Sequence, residues 1–179
     1  MKPLLSFIIP AWNEEDYIAA TIESIQHAAK EYAHEIIVVN DNSDDETETI
    51  ARGLGVTVID VNHRHIAATR NSGAASANGK HLVFVDADTI VYESVVDEMV
   101  EVLGTGFVAG SSFPTFDGKL PFIAKVLTPF VRYTFLLLRL GAGAFIFCTR
   151  DAFEHVGGFP EKFFAAEEVH LSHALHKQG

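Results

Sequence analysis

Apolar and polar positions follow two periods that trade places along the chain. "LLSFIIP", residues 4–10, is an unbroken apolar run closed by Pro10, the pattern of a buried strand. From Asn13 to Tyr32 the period lengthens. Ile18, Ile22, Ile25, Ala29 and Tyr32 fall on one face of a helix, with Asn13 as the expected N-cap and acidic residues in the first turn. "EIIVVND" predicts a second strand and "VTVIDV" a third. Between them "SDDETETIARGLG" predicts a helix, because Ser43 and Glu46 have the spacing of a capping box. "IAATRNSGAASANG" reads as a small-residue helix ended by Gly79, and "HLVFVDAD" as a fourth strand. Val95, Val96, Met99 and Leu103 mark an amphipathic helix over 93–103 that ends at Gly104. After residue 105 the pattern loosens. "FVAGSSF" and "GAFIFCTR" read as strands, and "AEEVHLSHALHKQG" as a last helix.

Strands alternating with helices predict an α/β fold with a mostly parallel sheet. The strands are apolar without alternation, which implies helices on both faces and hence a three-layer α/β/α sandwich with a Rossmann-like central sheet. Ligands of such sheets sit beyond the carboxyl ends of the strands. Those ends carry Pro10, Ala11 and Asn13, then Asn40 and Asp41, then Asp86 and Asp88. Acidic and amide groups therefore gather on one edge.

Composition narrows the partners. A chain of 179 residues suits a single domain. A net charge of −11 and a pI near 5.1 argue against a nucleic-acid partner. An acidic protein handles an anionic substrate when a divalent cation mediates the contact. The single Cys148 rules out an internal disulfide and fits a reducing, cytoplasmic setting. "MKPLLSFIIPAWNEE" lacks the pattern of a secretion signal, and no uncharged run reaches the roughly 18 residues of a membrane span. Residues 120–147, with Arg132 and Arg139 among Phe and Leu, read in two ways. They form a core helix over the sheet, or an interfacial segment at the inner membrane face that meets a lipid-linked acceptor.

Asp86 and Asp88 end an apolar strand with no basic residue in the five positions that follow. Their plain reading is a turn. Their chemical reading is a site for Mg²⁺ or Mn²⁺, hard ions that take carboxylates together with water and substrate phosphates. Asp41 stands where a dinucleotide fold binds ribose, but "PAWNEE" replaces the glycine-rich turn that the pyrophosphate needs. "GLG" and "GAGAF" lack spacing and context, and no phosphate-binding G-x-x-x-x-G-K-[ST] loop is present. Arg70 is either a solvated arginine or a donor to a phosphate or base. His63, His65, His170, His173 and His176 read as structural or surface groups, with an auxiliary metal ligand as the alternative. Glu167 and Glu168 open the last helix, where they complement its dipole or act as a general base.

Taken in order, these motifs resemble the family 2 glycosyltransferases, inverting enzymes of the GT-A fold. "FIIPAWNEEDYIAATIESI" is similar to the family's P-x-x-N-E unit, and "EIIVVNDNSDDETETIA" to V-D-D-G-S-x-D-x-T, with Asn40 and Asn42 as departures. "TRNSGAASANGKHLVFVDAD" and "GAFIFCTRDAFEHVGGFPEKF" resemble the R-N-x-G…D-x-D and V-G-G-F-x-E stretches. "AEEVHLSHAL" is similar to E-D-x-D-L, with Glu168 and His170 in place of the two aspartates. The resemblance covers nearly the whole chain. It implies a donor-binding half over about 1–104 and an acceptor-side half over about 105–179. Family members usually continue further, so part of the acceptor wall is expected to be missing. It also implies a nucleotide-diphospho-sugar donor, usually a UDP-sugar, and Mn²⁺ or Mg²⁺. Pro10, Ala11 and Asp41 would meet the base, with Asn13 and Glu14 nearby and Arg70 on the donor side. Asp86 would face ribose or metal and Asp88 the diphosphate-bound metal. Glu168 would deprotonate a sugar, lipid-linked or small-molecule acceptor, with Glu167 as the alternative base. The rivals are a sugar nucleotidyltransferase, disfavoured by the acidic "PAWNEE", and a non-catalytic nucleotide-sugar-binding domain.

Overall fold

In the computed structural model the described residues are 2–112, 144–162 and 167–178. The strands are β1 (Leu5–Ala11), β2 (His34–Asp41), β3 (Thr57–Val61), β4 (His81–Val85), β5 (Ala109–Ser111) and β6 (Phe145–Thr149). The helices are α1 (Ile18–Ala28), α2 (Thr47–Gly53), α3 (Ile66–Ser76), α4 (Glu93–Gly104), α5 (Arg150–Val156) and α6 (Glu167–His176). They form one sheet in the order β3-β2-β1-β4-β6-β5. The first four of those strands pair in parallel, and β6 runs antiparallel to both β4 and β5. The chain leaves β1 in one direction for β2 and β3, then returns to the other side of β1 as β4. The carboxyl ends of β1 and β4 are therefore a topological switch point, where a crevice opens.

Alternate strand residues face opposite layers. Leu5, Phe7 and Ile9 point with Ile36 and Val38 towards Ile18, Ile22 and Ile25 of α1 and Val96 and Met99 of α4. Ile8, Ile37 and Val39 point the other way, with Leu82 and Phe84, towards α3, α5 and α6. The three-layer sandwich predicted from the apolar runs is thus present, each face of the sheet closed by helices.

Helix starts depart from expectation, for one reason. Asn13 is not an N-cap: α1 begins at Ile18, and Asn13 has a left-handed φ of 58°. Its side chain donates to Asp44 at 2.5 Å and its N–H to Ser43 Oγ at 3.0 Å. Ser43 is not a capping-box residue either; Asp45 accepts from the Thr47 N–H at 3.0 Å at the start of α2. Asn13 and Ser43 hydrogen-bond across to each other's loops, and Asp45 accepts both from its own helix at Thr47 and from the Glu15 N–H at 3.1 Å. Two adjacent strand ends are laced together this way. Gly79 does not end α3, which stops at Ser76. A Cβ on Gly79 would stand 2.5 Å from Ser6 Oγ and 2.8 Å from Ser6 N, so glycine is required there by close approach to β1.

Most of the segment 120–147 lies outside the described residues; its last three residues begin β6. Among the described residues no helix is long and apolar enough to cross a membrane.

Helix α3 lies unusually close to the sheet, and this fixes where Arg70 points. A Cβ on Gly73 would meet Ile8 Cγ2 at 2.4 Å and Val39 Cγ2 at 2.8 Å. Gly73→Ala is expected to destabilise the fold by about 1–3 kcal/mol, against a helix-propensity gain of about 1 kcal/mol. The checks are thermal unfolding and chemical denaturation. An unchanged or raised Tm would show that α3 has room to lift.

Candidate functional site

Beyond the carboxyl ends of β1 and β2 lies a cleft of about 420 Å³, lined by Pro10, Ala11, Trp12 and Glu14 on the β1 side and by Asp41, Arg64, His65, Ile66 and Thr69 on the other. Pro10, Ala11, Glu14 and Asp41 were expected at a nucleotide, and all four line this cleft. Asn13, expected nearby, serves the loop lacing described above.

Asp41 is buried, and protein donors occupy both of its oxygens. The N–H groups of His63, Arg64 and His65 donate to it at 2.7, 3.1 and 3.3 Å, and the Thr69 hydroxyl at 3.0 Å. Three successive amides around one carboxylate form an anion nest. Burial pushes the Asp41 carboxyl up, but the hydrogen bonds from Arg64, His63, Thr69 and His65 outweigh it and leave the group below its ordinary 3.8. Asp41 thereby holds the loop between β3 and α3 in place. That loop carries Arg64 over the indole of Trp12, 5.1 Å from the ring centroid.

At the β4 end, Asp86 and Asp88 follow the strand directly, and the Asp86 N–H donates to the Ala144 carbonyl at 3.2 Å. Asp86 is partly exposed; Asp88 is exposed and makes no hydrogen bond or ion pair among the described residues. Burial raises the Asp86 carboxyl despite Arg70, and Asp88 and Glu168 push it the same way. Glu14 is also raised, by burial first and then by the charges of Asp88, Asp45 and Asp86. The negative charge of Asp88 thus acts on both Glu14 and Asp86, in each case after burial.

Arg70 does not project into the cleft as a solvent-facing phosphate donor. Its side chain is 2% exposed, and its guanidinium binds three carboxylates: Asp86 at 2.8 Å, Glu167 at 3.0 Å and Glu168 at 3.2 Å. One guanidinium face lies 5.2 Å from the centre of the Phe159 ring. The cause is the tight seat of α3, which buries the arginine beneath the strand ends and leaves carboxylates as the groups within reach. Glu167 is buried against this guanidinium, whereas the Glu168 side chain is partly exposed. The neighbouring Asn71 holds the approach to α6. Its amide donates to the Phe159 carbonyl at 2.9 Å and to Glu161 at 3.0 Å, and its oxygen accepts from the Phe159 N–H at 2.9 Å.

The residues fit a divalent cation held mainly by its substrate. Asp88 and Asp86 supply hard oxygens, those of Asp86 shared with Arg70. Among the described residues no group of three or more His, Cys, Asp or Glu is placed to hold a metal alone. His63 Nε2 is 2.8 Å from Ser72 Oγ, which suits the structural reading of that histidine. Sequence reasoning missed Arg64, Thr69, Asn71 and Phe159. Asn71 lay inside a noted motif; Arg64 carried no periodic or motif signal.

The chain belongs to glycosyl transferase family 2, whose model matches residues 6–156. It is 34% identical over 105 residues to an uncharacterized glycosyltransferase of Rickettsia prowazekii, covering 57% of this chain and 32% of that protein. It is 31% identical over 125 residues to the uncharacterized glycosyltransferase EpsJ of Bacillus subtilis, covering 63% of this chain and 36% of that protein. The chain thus spans about a third of the length of these relatives. Its fold resembles a mannosyltransferase from Pyrobaculum calidifontis in complex with GDP-Man and Mn²⁺, with a TM-score of 0.80 and 21% identity, over 100% of this chain and 53% of that one. Glucosyl-3-phosphoglycerate synthase from Mycobacterium tuberculosis, in complex with Mn²⁺, UDP and glucosyl-3-phosphoglycerate, gives 0.70 and 23%, over 94% of this chain and 63% of that one. These likenesses identify the fold as GT-A. The family match ends before Glu167 and Glu168.

Asp41 generates a pH-dependent prediction. Its folded value is depressed, so the stability it contributes is present above its ordinary 3.8 and is lost as pH falls through the lower folded value. Asp41→Asn is expected to lower stability at pH 7 by about 1–3 kcal/mol. The gap from wild type should narrow below pH 3.8. Denaturation curves across that range check it; a gap independent of pH would mean that the charge is not what holds the loop.

Proposed function

We propose that the chain is the donor-binding and proton-accepting core of a metal-dependent, inverting glycosyltransferase. Its donor on this reading is a nucleotide-diphospho-sugar, most simply a UDP-sugar, and its acceptor a hydroxyl on a sugar, a lipid-linked carrier or a small molecule. The observation that carries the reading is the Arg70 cluster. One buried guanidinium joins Asp86, at the strand end expected to meet the donor, to Glu168, at the start of α6, 98 residues away along the chain from Arg70. A donor-side carboxylate and a partly exposed carboxylate on a different element are what displacement from opposite faces of a sugar needs. The Mn²⁺ complexes of the Pyrobaculum and Mycobacterium enzymes, with GDP-Man and with UDP, support the donor class and the ion.

Asp88 and Asp86 would hold Mn²⁺ or Mg²⁺ at the diphosphate. The ion, when bound, neutralises the charge of the departing nucleoside diphosphate. Pro10 and Ala11 line the wall of the cleft for the base, and Glu14 lies between that wall and the aspartates. An acceptor hydroxyl is barely acidic, so a carboxylate must take its proton as the new bond forms. Glu168 has the exposure for this, with Arg70 fixing its direction. Glu167 faces the buried side of the guanidinium, and its role is to anchor α6. Residues 1–104 would supply the donor site and residues 105–179 the acceptor side.

Two measurements test the reading. In calorimetry, UDP is expected to bind at least about tenfold more weakly with EDTA than with Mn²⁺, one tenfold step being about 1.4 kcal/mol. Asp88→Asn should remove most of the difference without lowering the Tm. Equal affinity in the two buffers would overturn the metal assignment.

In transfer assays with labelled UDP-sugars, Glu168→Gln is expected to lower the rate by roughly 10²- to 10⁴-fold, with donor affinity nearly unchanged. Glu167→Gln should lower the Tm and cost less in transfer. Near wild-type transfer by Glu168→Gln would move the base to Glu167.

A further inference from the structure

Helix α5 ends on two consecutive glycines in the left-handed region, Gly157 at φ 80° and Gly158 at φ 77°. Such a pair turns the chain sharply at little steric cost. It also lets the backbone come close to α3: a Cβ on Gly158 would stand 2.8 Å from Asn71 Oδ1 and 3.3 Å from Phe153 Cζ. The turn thus delivers Phe159 directly to the Asn71 side chain. There the amide makes the two backbone contacts that a neighbouring strand would make. Its oxygen accepts from the Phe159 N–H at 2.9 Å, and its Nδ2 donates to the Phe159 carbonyl at 2.9 Å. A side-chain amide can do this because it offers a donor and an acceptor side by side. Nδ2 donates to Glu161 as well, at 3.0 Å.

What this latch holds is the ring beneath the buried guanidinium. Phe159 is 2% exposed, packs edge-on against Phe84 at 4.8 Å, and lies 5.2 Å from the Arg70 guanidinium carbon. The same guanidinium binds Glu168 at 3.2 Å. Helix α6 has an apolar anchor of its own in Leu171 and Leu175, each 1% exposed. Apolar burial is non-directional and does not fix a side chain to a fraction of an ångström. The directional contacts do: Asn71 sets Phe159, Phe159 supports Arg70, and Arg70 meets Glu168.

We propose that Asn71 is a positioning residue for the proton transfer, acting through Phe159 and Arg70 on the Glu168 carboxylate. The inference rests on the reading of Glu168 as the base. Asn71 does not line the nucleotide cleft, so its effect falls on turnover and not on donor affinity. A base displaced by about 1 Å from its acceptor costs on the order of 10²-fold in rate. That is the scale on which a loosened Phe159 acts.

Two variants test this. Asn71→Ala removes the latch. Asn71→Asp keeps its shape and its acceptor, cannot donate to the Phe159 carbonyl, and sets a carboxylate against Glu161. Hydrogen exchange is read first, without ligand: both variants should exchange faster in the first turn of α6, with β1 and β4 unchanged. UDP affinity with Mn²⁺ is then measured by calorimetry. Turnover is measured as UDP release from UDP-glucose, UDP-galactose and UDP-N-acetylglucosamine. Water takes the sugar in this assay and gives its proton to Glu168, as an acceptor hydroxyl would. In both variants kcat is expected to fall by about 10- to 100-fold, with UDP affinity nearly unchanged. In the Glu168→Gln background Asn71→Ala should cost less than about a further twofold, because residues that act as a unit are not additive. The full loss in that background would place the effect of Asn71 elsewhere and overturn the proposal. Unchanged turnover would overturn it too, as would a loss of UDP affinity as large as that of kcat. Failure of both variants to fold would make Asn71 a scaffold residue, with the same consequence. A Glu168→Gln protein that turns over at the wild-type rate sinks the base assignment itself and takes this proposal with it, a result read from that single variant alone.

Discussion

The organisation of the site depends on one buried positive charge. Arg70 is withdrawn from water beneath the strand ends, and an unpaired charge there would cost far more than the fold can spare. Asp86, Glu167 and Glu168 must therefore reach it, and in doing so they bring the end of β4 and the start of α6 to one point. Gly73, one helical turn further on, lets α3 settle against Ile8 and Val39. A backbone glycine thus determines the depth of the arginine, and the arginine determines where a distant pair of glutamates stands. Such a cluster contributes little net stability compared with an apolar equivalent, but losing Arg70 strands its carboxylates, and leaving a buried charge without its partner costs about 3–5 kcal/mol. That asymmetry is a reason for α6 to hold one position.

The cluster is not electrically balanced. Three carboxylates surround one guanidinium, and Asp88 and Glu14 add further negative charge beside them. Burial first, and neighbouring carboxylates after it, raise the Asp86 and Glu14 carboxyls. A site that binds only neutral groups gains nothing from keeping this repulsion. A site that receives a cation with its anionic ligand gains twice, since the ion relieves the carboxylates and the phosphates together. At the end of β2 the opposite device operates: three amides and the Thr69 hydroxyl donate to Asp41, so it organises backbone instead of attracting ions. Two aspartates at strand ends on either side of β1 have different chemistry because one is enclosed by backbone N–H groups and the other shares a guanidinium with two further carboxylates.

The sheet, its parallel core and the three layers were legible in the sequence, because unbroken apolar runs and amphipathic helices each report a single local period. So was the edge that bears the cleft, since strand ends follow from strand extents. The misreadings at Asn13, Ser43 and Gly79 share a physical source. A capping pattern is local, and it loses to a tertiary partner when two loops lie side by side: Asn13 found Asp44, and Gly79 found Ser6. Arg70 was visible as a functional candidate but not as a buried one. Its depth depends on a contact between Gly73 and β1, and no spacing along the chain encodes that distance. Arg64 left no trace, because its backbone conformation arises only once Asp41 gathers the loop.

Arg70 and Asn71 are adjacent on α3, so their side chains leave the helix about 100° apart. One turns under the strand ends to the carboxylates. The other reaches outwards and grips both backbone groups of Phe159 and the Glu161 side chain. Phe159 in turn packs edge-on against Phe84 of β4 at 4.8 Å and lies under the Arg70 guanidinium at 5.2 Å. The segment that leads into α6 is thus fastened by Asn71 before Glu167 and Glu168 arrive at Arg70. The two restraints act in series on one stretch of chain and share one ring. A pair of neighbouring polar residues can therefore place a carboxylate nearly a hundred positions downstream: the first supplies the charge it must meet, and the second fixes the path by which it comes.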